Sequence, residues 1–154
     1  MSLGYKQVEA VLVEVLKIKP AEMGAFRARL RHLRNLGVPR LPKPGSGRRI
    51  GYSEDHAFVM LIALELEDLG IAPRPAADVA PSIVRMHGWL RGVLDASSDD
   101  DLHVAVTPRR SRQWVALSTR SAFDELLAKG LPAFSLLNMS ICARKLDHAL
   151  RAVV

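Results

Sequence analysis

Four arginines and a histidine crowd the segment Phe26-Arg-Ala-Arg-Leu-Arg-His-Leu-Arg34. If the segment is helical, Arg27, Arg31 and Arg34, spaced four then three, share one face, roughly opposite a stripe of Phe26, Leu30 and Leu33. Arg29 and His32 flank them. A helix anchored by an apolar stripe and carrying guanidinium forks fits the major groove of duplex nucleic acid, where those forks match guanine edges and phosphate oxygens. The plainer alternative is a solvated basic surface. The loop that follows weighs against it. Residues 39–51 hold three prolines and three glycines, which rules out a helix and makes an exposed turn at Gly45-Ser46-Gly47. Arg40, Lys43, Ser46, Arg48 and Arg49 line this loop, and Tyr52 stands at its end. A flexible cationic tip of this kind can lie along a sugar-phosphate backbone or in a minor groove. It is not a nucleotide-binding phosphate loop. The Gly-Lys-Ser/Thr ending is missing, and Glu54 and Asp55 open the next helix with the wrong charge.

The remaining reactive residue types do not assemble into chemistry. Cys142 is the sole cysteine, so no internal disulfide or cysteine-based zinc site can form, and a buried structural thiol is expected. His32, His56, His87, His103 and His148 show no metal-ligand spacing. No Gly-x-Ser-x-Gly occurs, so a serine nucleophile has no turn to sit on. Asp99, Asp100 and Asp101 lack the ligand spacing of a calcium loop and suit a solvated linker. Trp89 and Trp114 suit a core or an interface. The expectation is a non-enzyme with no metal and no cofactor.

Charge is distributed unevenly. Residues 1–50 carry 11 Lys/Arg against 3 Asp/Glu, a net +8; residues 51–154 carry 11 against 13, a net −2. A basic field joined to a mildly acidic remainder implies a polyanion-binding module attached to a part with another task. The hydrophobic share of 49% and charged share of 25% are those of a folded domain. No apolar run approaches the roughly 20 residues that cross a bilayer. The stretch from Met1 to Glu14, broken by Lys6, Glu9 and Glu14, does not resemble a secretory signal. A cytoplasmic protein with no membrane partner is expected.

The elements that must position these residues follow from periodicity. Val8, Val11, Leu12, Val15 and Leu16 predict a helix over residues 5–18, and Lys19-Pro20 separates it from a second over 21–36, stopped by Gly37. Ser53 caps a third, apolar helix that closes at Gly70. After a short connection over 71–75, a helix is expected over 76–94, with Val79, Ile83, Met86, Leu90 and Leu94 buried. Alternation at Leu102, Val104 and Val106, and around Trp114, predicts a hairpin. A helix over 121–129, a strand over 134–139 and a helix over 143–153 complete the chain.

Residues 16–79 resemble the DNA-binding domain of MerR-type regulators. The likeness rests on Arg27-Ala-Arg-Leu-Arg-His-Leu-Arg-Asn-Leu-Gly37-Val-Pro, Arg49-Ile-Gly-Tyr52-Ser-Glu-Asp-His56 and Leu61-Ile-Ala-Leu-Glu-Leu-Glu-Asp-Leu-Gly70-Ile. It implies a helix-turn-helix with Arg27, Arg31 and Arg34 on or near the recognition helix. It also implies a wing over Lys43 to Arg49, with Tyr52 at its base touching a phosphate or the core. The expected fold is α+β and mainly helical. A winged helix-turn-helix over 1–75 precedes a small helix-hairpin-helix-strand-helix unit over 76–154 that serves dimerisation or effector binding. The expected partners are double-stranded DNA, a second copy of the chain, and RNA polymerase or another regulator. The competing expectation is a non-enzymatic adaptor whose basic helix grips an acidic protein.

Overall fold

The computed structural model describes residues 2–41, 51–96, 101–106, 114–117, 124, 128 and 135–153. The chain folds as a mainly helical α+β protein. Helix α1 (Tyr5–Leu16) buries Val8, Val11, Leu12 and Val15 on one stripe. It ends at Lys17, which adopts a left-handed conformation (φ 53°), so the helix stops two residues before the predicted limit. A single 3-10 turn at Pro20–Glu22 leads into α2 (Met23–Asn35), whose buried residues are the predicted Phe26, Leu30 and Leu33.

Two helices finish in the same way. At the end of α2, Gly37 (φ 82°) donates its N–H to the Arg34 carbonyl at 2.9 Å, and Val38 donates to Leu33 at 3.0 Å. At the end of α3 (Glu54–Asp68), Gly70 (φ 88°) donates to Glu67 at 2.9 Å, and Ile71 to Leu66 at 3.0 Å. This paired closure needs a residue that tolerates positive φ, which is why glycine stands at both ends. At its start, α3 is capped reciprocally: the His56 N–H donates to the Ser53 hydroxyl at 3.2 Å, and the Ser53 N–H donates to His56 Nδ1 at 3.0 Å. Histidine takes the place more often held by glutamate or glutamine. Ala57 through Leu64 are all buried, so α3 is the central helix of the fold.

The helix predicted over 76–94 is two helices, α4 (Pro73–Met86) and α5 (Trp89–Ala96). Gly88 (φ 73°) and Trp89 (φ 64°) both lie in the left-handed region and break the run. Asp55, in the first turn of α3, accepts the Leu90 N–H at 3.1 Å and so holds the start of α5. Three antiparallel strands follow, β1 (His103–Val106), β2 (Trp114–Leu117) and β3 (Ser135–Asn138), in the order β2-β1-β3. Val104 pairs with Ala116 on one side and Leu137 on the other. The last helix, α6 (Met139–Val153), begins four residues earlier than predicted, because the Asn138 side chain accepts the Ile141 N–H at 2.8 Å and caps it directly from the strand. The helix predicted over 121–129 lies largely outside the described residues.

One hydrophobic core runs from Leu3 to Leu150. Helix α6 packs on α1, α3 and α5, and α4 packs along α3. The division expected at residue 75 falls inside α4, and the two halves of the chain share that core. The reason is the apolar circumference of α3, which needs cover from elements of both halves.

Candidate nucleic-acid interface

Helix α2 carries Arg27, Arg29, Arg31, His32 and Arg34 and no carboxylate between residues 23 and 35. At about 100° per residue, Arg27, Arg31 and Arg34 do share a face, but that face lies closer to a quarter turn from the Phe26, Leu30 and Leu33 stripe than to the opposite side. The offset has consequences for each guanidinium. Arg27 turns toward α1 and donates from Nε to Oε1 of Glu9 at 2.8 Å. Its side chain remains 57% exposed while that of Glu9 is 15% exposed. The Arg34 guanidinium lies 4.6 Å above the ring of Tyr5, also on α1, a cation–π contact that holds the group without neutralising it. No described residue forms an ion pair or hydrogen bond with the exposed side chain of Arg31.

Arg29 leaves the candidate set. It points away from the other three, to the far end of α3, where Nε donates to Glu67 at 3.0 Å and Nη2 to Asp68 at 2.8 Å and to the Leu64 carbonyl at 3.2 Å. Its Nε and Nη2 are committed to α3, and it acts as a strut between α2 and α3. Tyr52 leaves the phosphate-contact set for a similar reason. It is 2% exposed, its backbone is bridged to Leu3 in both directions (2.7 and 2.9 Å), and its ring packs 6.2 Å from Tyr5. Burial of its hydroxyl, which has no hydrogen-bond partner among the described residues, pushes its pKa above the ordinary value. Of the two roles implied for Tyr52, the core is the one it fills.

The solvent pole of α2 is made by Gly24, Ala28, Arg31 and Asn35, all exposed, with His32 beside them and Arg27 and Arg34 on the α1 flank. A Cβ at Gly24 would meet nothing within 4 Å, so the first turn of the helix is open to close approach. Asn35 was not among the residues singled out from sequence. Its signal was available, since it falls one turn beyond Arg31, and an amide at that place can pair with an adenine edge. Arg40 is exposed just past the end of α2. Lys43, Ser46, Arg48 and Arg49 lie outside the described residues.

Three features therefore converge on one side of the molecule: an open first turn, an arginine and an amide without a side-chain partner among the described residues, and two arginines steadied by α1. The arrangement can present four hydrogen-bonding side chains to a polyanion without a carboxylate from α2 itself. Among the described residues no group of three or more metal-ligating side chains assembles, and no helix is long and apolar enough to cross a membrane. No protein-family model matches the chain, and comparison with curated proteins finds no relative.

Proposed function

We propose that this protein is a sequence-preferring duplex-DNA-binding regulator of transcription, built on a winged helix-turn-helix of the MerR form. In this reading α1, the turn at Pro20–Glu22 and α2 are the helix-turn-helix, and the pole formed by Gly24, Ala28, Arg31 and Asn35 enters the major groove. Arg27 and Arg34 meet the flanking phosphates. The segment from Lys43 to Arg49 acts as the wing. The observation that carries the reading is a carboxylate-free α2 whose outward pole is small at its N-terminal end and polar at its C-terminal end. A helix inserts into the groove by such an end, and arginine and asparagine discriminate bases by bidentate pairing. Two copies on a two-fold site would double the contacts, which fits a homodimer held by residues 76–154.

The experiment is selection of bound duplexes from a random pool, followed by gel-shift titration. A defined motif is expected, with Arg31→Ala and Asn35→Ala each weakening it by about 1–3 kcal/mol. Binding with no preferred sequence, or no effect of either substitution, would remove the recognition-helix assignment. A second reading has an observation of its own. Arg27 already holds a carboxylate, that of Glu9, at 2.8 Å, which is how an acidic protein surface would engage α2 in an adaptor. Equal retention on heparin and on the selected duplex would favour that reading.

A further inference from the structure

A groove of about 180 Å³ opens between the end of α2 and the side of α4. Its described walls include Arg40, Val59, Ser82, Arg85 and Trp89, with His56 among them. The hydrogen-bonding character of this set is one-sided. His56 Nδ1 accepts the Ser53 N–H at 3.0 Å, so the proton of the neutral ring sits on Nε2 and makes that atom a donor. Burial lowers the pKa of His56 and keeps the ring neutral near pH 7. The Ser82 hydroxyl and the exposed guanidiniums of Arg40 and Arg85 add further donors. One carboxylate is among the described lining residues: Asp78, 65% exposed and 3.6 Å from the Arg74 guanidinium, faces outward to solvent and is outnumbered by the two lining guanidiniums.

Trp89 supplies the apolar surface at a cost. A bulky residue at φ 64° is a conformational outlier, and residues held this way concentrate where a ligand is clamped. Trp89 is 39% exposed and lines the groove. The volume argues for one ring, since an apolar cavity of about 150 Å³ accepts benzene. We propose that this groove binds a small aromatic carboxylate, with its ring against Trp89 and its anion at Arg85 and Arg40. The site is connected to the basic face. Leu36 to Arg40 continue α2 directly, and ring contacts run from Arg34 over Tyr5, through Tyr52, to His56.

The test needs no DNA, so its outcome is independent of the DNA-binding reading. Benzoate, benzamide and inorganic phosphate are titrated into the unmodified full chain by calorimetry, and Trp89 fluorescence is followed in Trp114→Phe. Benzoate should bind with a Kd on the order of 1 mM, as suits so small a ligand. Arg85→Ala and, separately, replacement of benzoate by benzamide should each weaken binding about tenfold or more, the loss expected for one charge-assisted contact. Ser82→Ala, which removes a donor without touching the charge, should weaken it a few-fold. The proposal is overturned if benzoate does not saturate the protein, or if Arg85→Ala leaves binding unchanged. Benzamide or inorganic phosphate binding as well as benzoate would overturn it too, since one lacks the charge and the other the ring.

Discussion

The Nε of Arg27 on α2 donates to Oε1 of Glu9 on α1 across 2.8 Å, and this pair offsets part of the positive charge of α2. The Glu9 side chain is largely covered, but that of Arg27 is 57% exposed, so a phosphate can compete for its guanidinium from the solvent side. On the proposed DNA-binding reading, Glu9→Gln should therefore tighten binding several-fold at low salt. The dependence of log affinity on log salt should keep nearly the same slope, because Arg27 neutralises a phosphate in both complexes. An affinity identical to that of the parent protein would place Arg27 away from the backbone.

Arg29 should behave in the opposite way. Its contacts to Glu67, Asp68 and the Leu64 carbonyl tie α2 to α3, and removing it leaves Glu67, whose side chain is only 10% exposed, without its partner. Arg29→Ala is expected to lower stability by about 1–2 kcal/mol in chemical denaturation. The salt slope of DNA binding should not change. A loss of affinity without a loss of stability would return Arg29 to the interface.

The break between α4 and α5 depends on Gly92. A Cβ there would stand 2.5 Å from the His87 carbonyl oxygen, a backbone atom with no room to swing aside. Gly92→Ala should destabilise the protein by about 1–3 kcal/mol, despite the better helix propensity of alanine. A thermal melt that rises instead would show that the turn at His87 to Trp89 relaxes freely.

Acid should destabilise the fold through His56 and His87. Burial lowers both pKa values below the ordinary 6.5. The unfolded chain therefore takes up protons that the native chain refuses. The stability these rings contribute is complete above about pH 6.5 and falls as pH drops through that value toward the lowered native ones. Denaturation midpoints between pH 5 and 8 should slope accordingly, and His87→Gln should flatten the slope. If the midpoints do not vary with pH, the rings titrate alike in both states.

The shared core predicts one cooperative transition. Leu146 of α6 is fully buried in the cluster that contains Val8 and Phe58. Leu146→Ala should cost about 2–5 kcal/mol and lower the midpoint of the whole chain. Two separate transitions, with only one displaced, would restore the division at residue 75.

Local signals carried much of the architecture. The α2 stripe, the glycines closing α2 and α3, the serine before α3 and the alternating strand residues act over four or five positions, so they survive reading without a fold. Three features escaped. The turn at Gly88 and Trp89 was hidden inside a run of residues that continue a helical stripe. The Asn138 cap was overlooked beside a strand pattern that extended to Met139. The domain division was inferred from charge, yet packing follows apolar surface, and α3 is apolar nearly all the way round.

From its sequence alone the chain determined that α2 is a helix, that its charge is wholly positive, and that Phe26, Leu30 and Leu33 anchor it. Those properties depend on backbone geometry and on residue type. Tertiary structure decided which arginine does what. The approach of α1 along one flank of α2 recruits Arg27 and Arg34, and the approach of α3 along the other consumes Arg29. Among the described residues no helix packs against the pole between them, and none pairs with Arg31. A side chain's direction around its helix is fixed locally, but its partner is set by whichever distant segment the core brings alongside.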